Sequence, residues 1–418
     1  MNRAWLIALA ALVVGTAHSE PIAIVHATAW TLTTDQPTKD ATIVIDGGRI
    51  VAVASGAAAP AGARVIDAAG RPVTPGLMHA ASQLGLIEVS SATETVDHSA
   101  KVGVPGAAFD IQSAINQNSL LIQLARTDGL TRAISYPGAT PVAPFGGTGV
   151  LLHLVHDGDI VERARVGVFA NISNRSAAMS VGSRAAQWQL LRTALETAKT
   201  TLAAPATPAP RPPDVLALEP VLGGKIPLAI STSRESDLRE AIKLARNFNI
   251  RVVVIGGAQG WRVASELAAA KIAVILDPTT NLPISFDEIG ARLDNAALLR
   301  KAGVTIAMAL HGVQSYNAGS SLREGAGLAV ANGLPYVEGL RSIISAPAQI
   351  WGVADRYGTL APGADADLVI WDGDPLEPSS LAATVLVNGR EIPLTTHQSE
   401  LRDRYLPLVE AARGARRQ

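Results

Sequence analysis

Between about residue 77 and residue 349 the chain alternates short, continuously apolar runs with amphipathic segments, and this alternation constrains the fold more than any other feature. Thr131–Ser135, Ile226–Ser231, Arg251–Gly256, Ile272–Leu276 and Val304–Ala309 read as strands. Arg184–Leu202, Ser236–Phe248, Trp261–Ala270, Ala296–Ala302 and Leu322–Asn332 read as helices. Strands that are apolar along their whole length need cover on both faces, which a parallel sheet wrapped by helices provides. Over roughly 270 residues the closed (β/α)8 barrel of TIM type is the expected form of such an α/β chain. An open doubly wound sheet is the alternative, but no Gly-x-Gly-x-x-Gly follows an early strand. The Pro-rich stretch Ala203–Pro213 reads as a stiff surface connector within this region.

Strand-like runs also occupy both ends. Ile22–Thr28, Ala41–Ile45, Arg49–Ala54 and Arg64–Asp67 come first, with Asp46-Gly47-Gly48 as a hairpin turn. Ala366–Trp371 and Ala383–Asn388 return near the end, so the two termini are expected to build one composite β-sandwich. The expected division is 20–74 and 351–394 for the sandwich and 75–350 for the barrel. Residues 395–418 read as a terminal helix whose basic end (Arg413, Arg416, Arg417) is a solvated helix C-terminus. Residues 1–19 read as a signal peptide. Arg3 precedes the apolar run Trp5–Val14, which is too short to span a membrane, and Ala17-His18-Ser19 offers small residues for cleavage before Glu20. The expectation is an exported, periplasmic protein that is free of the membrane after processing; an uncleaved anchor is the competing reading.

Composition removes several functions. Aromatic residues make up 4% against 48% hydrophobic, so the core must be aliphatic. A net charge of −1 gives no electrostatic case for nucleic acid. The absence of cysteine excludes disulfides, thiolate metal sites and cysteine nucleophiles together. No Gly-x-Ser-x-Gly elbow occurs for a serine hydrolase.

Three stretches resemble the amidohydrolase superfamily. Asp46–Val53, Val65–Gly70 and Thr74–Leu77 resemble the N-terminal strands leading into the first barrel strand. Tyr357–Val369, running into Trp371-Asp372-Gly373-Asp374-Pro375, resembles the return into the sandwich. Lys225–Leu228, Leu238–Asn249 and Gly256-Gly257-Ala258 are similar to imidazolonepropionase-like members. The resemblance implies hydrolysis of carbon–nitrogen bonds, non-peptide or cyclic amides, by a water activated on one or two divalent metals at the C-terminal mouth of the barrel. It also implies the ligands: a His-x-His pair on strand one, a carboxylated Lys or Glu after strand four, His after strands five and six, and Asp after strand eight.

This chain departs from that pattern at each position that can be placed. Strand one reads Leu77-Met78-His79-Ala80-Ala81-Ser82-Gln83, so the pair becomes Ala81 and Gln83. The fifth strand is followed by Ser233-Arg234, the sixth by Gly256-Gly257, and the eighth leads to Leu310-His311. A strand-four lysine is hard to place; Lys199 is one candidate. His79, assigned the inward parity of Ala81 and Gln83, and His311 are expected to converge at the mouth as the catalytic candidates. Gln83, Ser233 and Arg234 are the substrate-binding candidates. Two histidines hold at most one weak Zn²⁺ or act as acid and base; the alternative is a polar pocket filled by hydrogen-bonded side chains and water. No stoichiometric metal or other cofactor is expected. His153 and His156, three apart on an apparent strand, make a poor ligand pair. Glu88–Val104, with Glu94, Asp97 and His98, and the Gly/Pro-rich Pro137–Gly149 read as loops over the mouth. Two functions compete: a rebuilt hydrolase, and an inactive relative that binds a small molecule in the mouth. A homo-oligomer or an active paralogue is a possible partner in the second case.

Overall fold

Gly47 and Gly48 take φ +56° and +76° and close the first hairpin, with Asp46 paired to Arg49. Positive φ at both central positions matches the right-handed twist of the strands it joins. The computed structural model describes residues 20–100, 106–141, 144–205, 208–280, 282–283, 285–310 and 317–415. The first strands are β1 (Ile22–Ala29), β2 (Thr38–Asp46), β3 (Arg49–Ser55), β4 (Arg64–Asp67) and β5 (Pro72–Pro75).

The middle of the chain then supplies β6 (Leu77–Ser82), β7 (Leu130–Ser135), β8 (Phe145–Thr148), β9 (Val150–His153), β10 (Val161–Arg163) and β11 (Val168–Asn171). These are followed by β12 (Leu228–Thr232), β13 (Val252–Gly256), β14 (Ala273–Leu276) and β15 (Ile306–Met308). Parallel pairing runs β6–β7 in one sheet and β11–β12–β13–β14–β15 in another. The helices between them are α1 (Leu120–Thr127), α2 (Asn174–Met179), α3 (Arg184–Ala203), α4 (Pro213–Leu222), α5 (Glu235–Phe248) and α6 (Ala264–Ala269). After these come α7 (Asn295–Lys301), α8 (Ala318–Ala331), α9 (Tyr336–Ile343) and α10 (Ser345–Trp351). The expected alternation of buried strands and covering helices is present, and β15 lies against β6.

One part of the expectation needs correction. The sequence reading treats Pro137–Gly149 as a loop and the barrel sheet as parallel throughout. Instead β8 pairs antiparallel with β11 and β9 antiparallel with β7, and Gly149 alone separates them. A single extended stretch therefore bridges the two parallel sets. Gly149 makes the switch possible, since a Cβ there would lie 2.5 Å from the Phe169 ring and 2.8 Å from the Ser135 carbonyl. Glycine content marked the stretch as a turn, whereas the glycines serve close backbone approach within a sheet.

The space inside these strands is filled by a cluster that includes Met78, Ile134, Phe169, Val253, Ile275 and Ala307. Tyr136, Phe169 and Trp351 stack through it, with ring centroids 5.2 and 5.6 Å apart. These three rings fill space that aliphatic side chains alone would leave loose. The Trp351 indole donates to the Ala80 carbonyl at 2.8 Å, which fixes α10 beneath β6.

The closing strands are β16 (Leu368–Trp371), β17 (Ala382–Val387) and β18 (Arg390–Glu391), followed by α11 (His397–Ala415). β16 pairs antiparallel with β5, so both chain ends enter one eight-stranded sheet of order β18-β17-β16-β5-β1-β2-β3, with β4 on β1. The segment Tyr357–Val369 also anchors this sheet to β7 electrostatically. Arg132 on β7 is 1% exposed and lies 2.7 Å from Asp365, 3.2 Å from Asp367 and 3.0 Å from Glu162. Its guanidinium covers the Tyr357 ring at 4.5 Å. Burial works against the charge of Arg132, but Asp367 and Glu162 overcome it and hold the guanidinium above its ordinary range. Burial likewise opposes ionisation of Asp367, yet Arg132 and His153 keep its carboxyl below the usual value. Among the described residues no helix is long and apolar enough to cross a membrane. Residues 1–19, the expected signal peptide, lie outside the described residues.

Candidate functional site

The C-terminal ends of five of these strands open on one cavity of about 440 Å³. Tyr136 follows β7, Asn171 ends β11, Ser231 and Thr232 end β12, Ile255 and Gly256 end β13, and Leu276 with Asp277 ends β14. Parallel strands deliver their last side chains and the following loops to the same face, which is where barrel folds place their sites. The volume suits a small organic molecule. The cavity wall is completed by Ser173 and Arg175 at the start of α2 and by the stretch 285–295 that precedes and begins α7.

The wall is held in place by charge. Arg184 reaches Asp287 at 3.2 Å and Asp237 at 3.0 Å, and the Asn174 backbone N–H donates to the other Asp287 oxygen at 2.8 Å. These contacts pin the 285–288 segment onto α2, α3 and α5. Arg292 pairs with Asp294 and lies 4.7 Å from the Trp261 ring centroid. Asp277 accepts from the Thr279 backbone N–H at 2.9 Å and its hydroxyl at 2.6 Å. Tyr136 has its phenol pushed up to about 12 by burial, so it faces the cavity as a neutral group.

Of the residues singled out from sequence, Ser233 lines this cavity, whereas His79, Gln83 and Arg234 are not among its lining residues. His79 is buried on β6, and its Nδ1 accepts from the Ala81 backbone N–H at 3.3 Å. The single inward row of 79, 81 and 83 does not form. Met78, Ala80 and Ala81 all join the inner cluster, and the β6–β7 register slips between His79 and Ser82. Gln83 follows the end of β6, where its carbonyl accepts from Leu86 at 3.0 Å. Arg234 occupies the N-cap of α5. His311 lies outside the described residues. Lys199 falls on α3, whereas Asn171 ends β11 at the cavity. His153 ends β9 against Asp367 at 2.9 Å, and His156 lies beyond the strand. His98 packs on Gly138, where a Cβ would sit 2.3 Å from its Nδ1, and burial lowers its pKa.

Asn171, Arg175, Thr232 and Asp277 were missed. The strand ends were visible in the sequence, but a search for imidazoles passes over amides and hydroxyls at the same positions.

The model of the amidohydrolase family matches residues 261–396, from the segment before α6 through β18. An amidohydrolase from Thermotoga maritima MSB8 superimposes with a TM-score of 0.82 at 23% identity, covering 89% of this chain and 99% of that one. Residues 261–396 are thus similar to the amidohydrolase family, and the chain as a whole shares the fold of the Thermotoga maritima amidohydrolase. A second structure, N-isopropylammelide isopropylaminohydrolase from Burkholderia multivorans ATCC 17616, superimposes at TM-score 0.52 and 15% identity, covering 90% of this chain and 98% of that one. The protein amidohydrolase tasK of Hapsidospora irregularis is 42% identical over 57 residues, 14% of this chain. That match spans only 6% of the tasK protein's own length. The cavity lies at the C-terminal ends of β7 and β11 to β14.

Proposed function

We propose that this chain binds a small amide or cyclic amide in the mouth of an amidohydrolase barrel, and that it does so without the metal centre of its family. The supporting observation is the chemistry of the strand ends: Asn171, Ser233, Gly256 and Asp277 stand at or just after the ends of β11 to β14. Zn²⁺ is held by imidazole, thiolate or carboxylate, and a metal pair needs several such donors aimed at one point. Amide and hydroxyl oxygens with one carboxylate do not meet that need. Gly256 tightens the case, because its φ is +103° and a Cβ would lie 2.9 Å from the Ser233 hydroxyl and 3.0 Å from the Thr232 carbonyl. No histidine fits there without moving the backbone.

In this reading the two sheets close into a (β/α)8-type barrel, the end sheet folds over it as the composite sandwich, and the mature chain works in the periplasm. Hydrolysis of a carbon–nitrogen bond is the second reading, favoured by the family match, which includes Asp277. Asp277 would then be the base that takes a proton from water. Binding and turnover of hydantoins, cyclic amides and N-acyl amino acids, measured with Zn²⁺ and Mn²⁺ and again with chelator, separate the two. Saturable binding without turnover, unchanged by metal, is expected. Metal-dependent turnover would favour hydrolysis.

A further inference from the structure

We infer that the ligand of this cavity carries a carboxylate beside its amide, and that Arg175 and Thr232 recognise it. The inference rests on the cavity being the ligand site, as proposed above.

The charges lining the cavity are mostly committed. Asp287 shares Arg184 with Asp237, and Arg292 is paired with Asp294. Arg175, exposed on the first turn of α2, lines the cavity and makes no ion pair among the described residues. A guanidinium offers a planar fork of donors whose geometry matches a carboxylate, and such charge-assisted bonds are about twice as strong as neutral ones. Thr232 also lines the cavity. It is 4% exposed, and its Oγ1 is buried without a hydrogen-bond partner. Buried hydroxyls are nearly always satisfied, so a ligand oxygen is the natural acceptor for this one. Asp277 supplies the opposite preference, since an ionised carboxylate only accepts and so favours a ligand N–H. A cation, a hydroxyl donor and a carboxylate acceptor around a volume of about 440 Å³ describe an N-acyl or N-carbamoyl amino acid: a carboxylate at one end and an amide N–H nearby.

Isothermal titration of the mature protein with N-acetyl-L-proline and N-carbamoylglycine, each beside its methyl ester, tests this. At least one acid is expected to bind ten-fold or more tighter than its ester, with the difference shrinking in added salt. Arg175→Gln, at an exposed position, should remove that preference and leave thermal stability unchanged. Thr232→Val should weaken the acid several-fold, and Thr232→Ser should retain its affinity. Equal binding of acid and ester overturns the carboxylate while leaving the cavity as an amide site. Unchanged discrimination in Arg175→Gln overturns the assignment to that residue. Silence from every acid and ester overturns the ligand site itself, and this inference with it.

Discussion

Replacing Asp367 by Asn should cost the protein about 3 kcal/mol, and the loss should carry a characteristic pH signature. Asp367 is 1% exposed and sits 3.2 Å from Arg132 and 2.9 Å from His153, while the Asn388 backbone N–H donates to it at 2.7 Å. Breaking a buried ion pair by removing one partner typically costs ~3–5 kcal/mol, because the other charge is left buried. The low end is expected here, since Arg132 keeps Asp365 at 2.7 Å and Glu162 at 3.0 Å, and Asn can still accept from Asn388. Arg132→Met should cost more, as it removes contacts to Asp365, Asp367 and Glu162 at once, leaving Asp365 to Arg49 and Arg356 and Asp367 to His153. A double-mutant cycle in urea, followed by tryptophan fluorescence, isolates the pair. The pH dependence follows from the depressed pKa of Asp367 in the fold. Its contribution is complete above the unfolded value, about 3.9 for a free Asp, and is lost as pH falls through the folded value. The stability gap between wild type and Asp367→Asn should therefore be flat above about pH 5 and shrink only in acid. A coupling energy below about 0.5 kcal/mol, or a gap unchanged down to pH 2, would refute an ionic lock between β7 and the end sheet.

Two further outcomes follow from the same structure. Gly256→His should not restore a metal site; it should destabilise the protein by about 1–3 kcal/mol through backbone strain at φ +103° and the clash with Ser233, read as a lower urea midpoint with no gain in Zn²⁺ affinity. Expression in a Gram-negative host with the native N-terminus should yield a periplasmic chain beginning at Glu20, and an intact Met1 by mass spectrometry would favour the uncleaved anchor.

Much of the fold was legible because burial leaves a periodic mark. Leu130–Ser135, Leu228–Thr232, Val252–Gly256 and Ala273–Leu276 are strands within two residues of where their apolar runs placed them. The β8–β9 stretch was not legible, since Phe145-Gly146-Gly147-Thr148-Gly149 has the composition of a turn and only long-range packing against Phe169 makes it a strand. The conspicuous segment Tyr357–Val369 pointed to the family, but its role was hidden. Asp365 and Asp367 meet Arg132 across more than two hundred residues of chain, a contact no local pattern announces. At the candidate site the sequence reading followed only the ligand positions that the resemblance implies. It did not reach Asn171, Thr232 and Asp277, because these become a site only when neighbouring strand ends are brought together.

Elemental analysis after gel filtration, on protein expressed with Zn²⁺ supplied, tests the central proposal most directly. The strand ends predict far less than one Zn²⁺ per chain and a thermal midpoint that chelation leaves in place, since a metal bound only to the native state would raise it. Close to two Zn²⁺ per chain, with a midpoint that falls when they are removed, would contradict a metal-free barrel mouth.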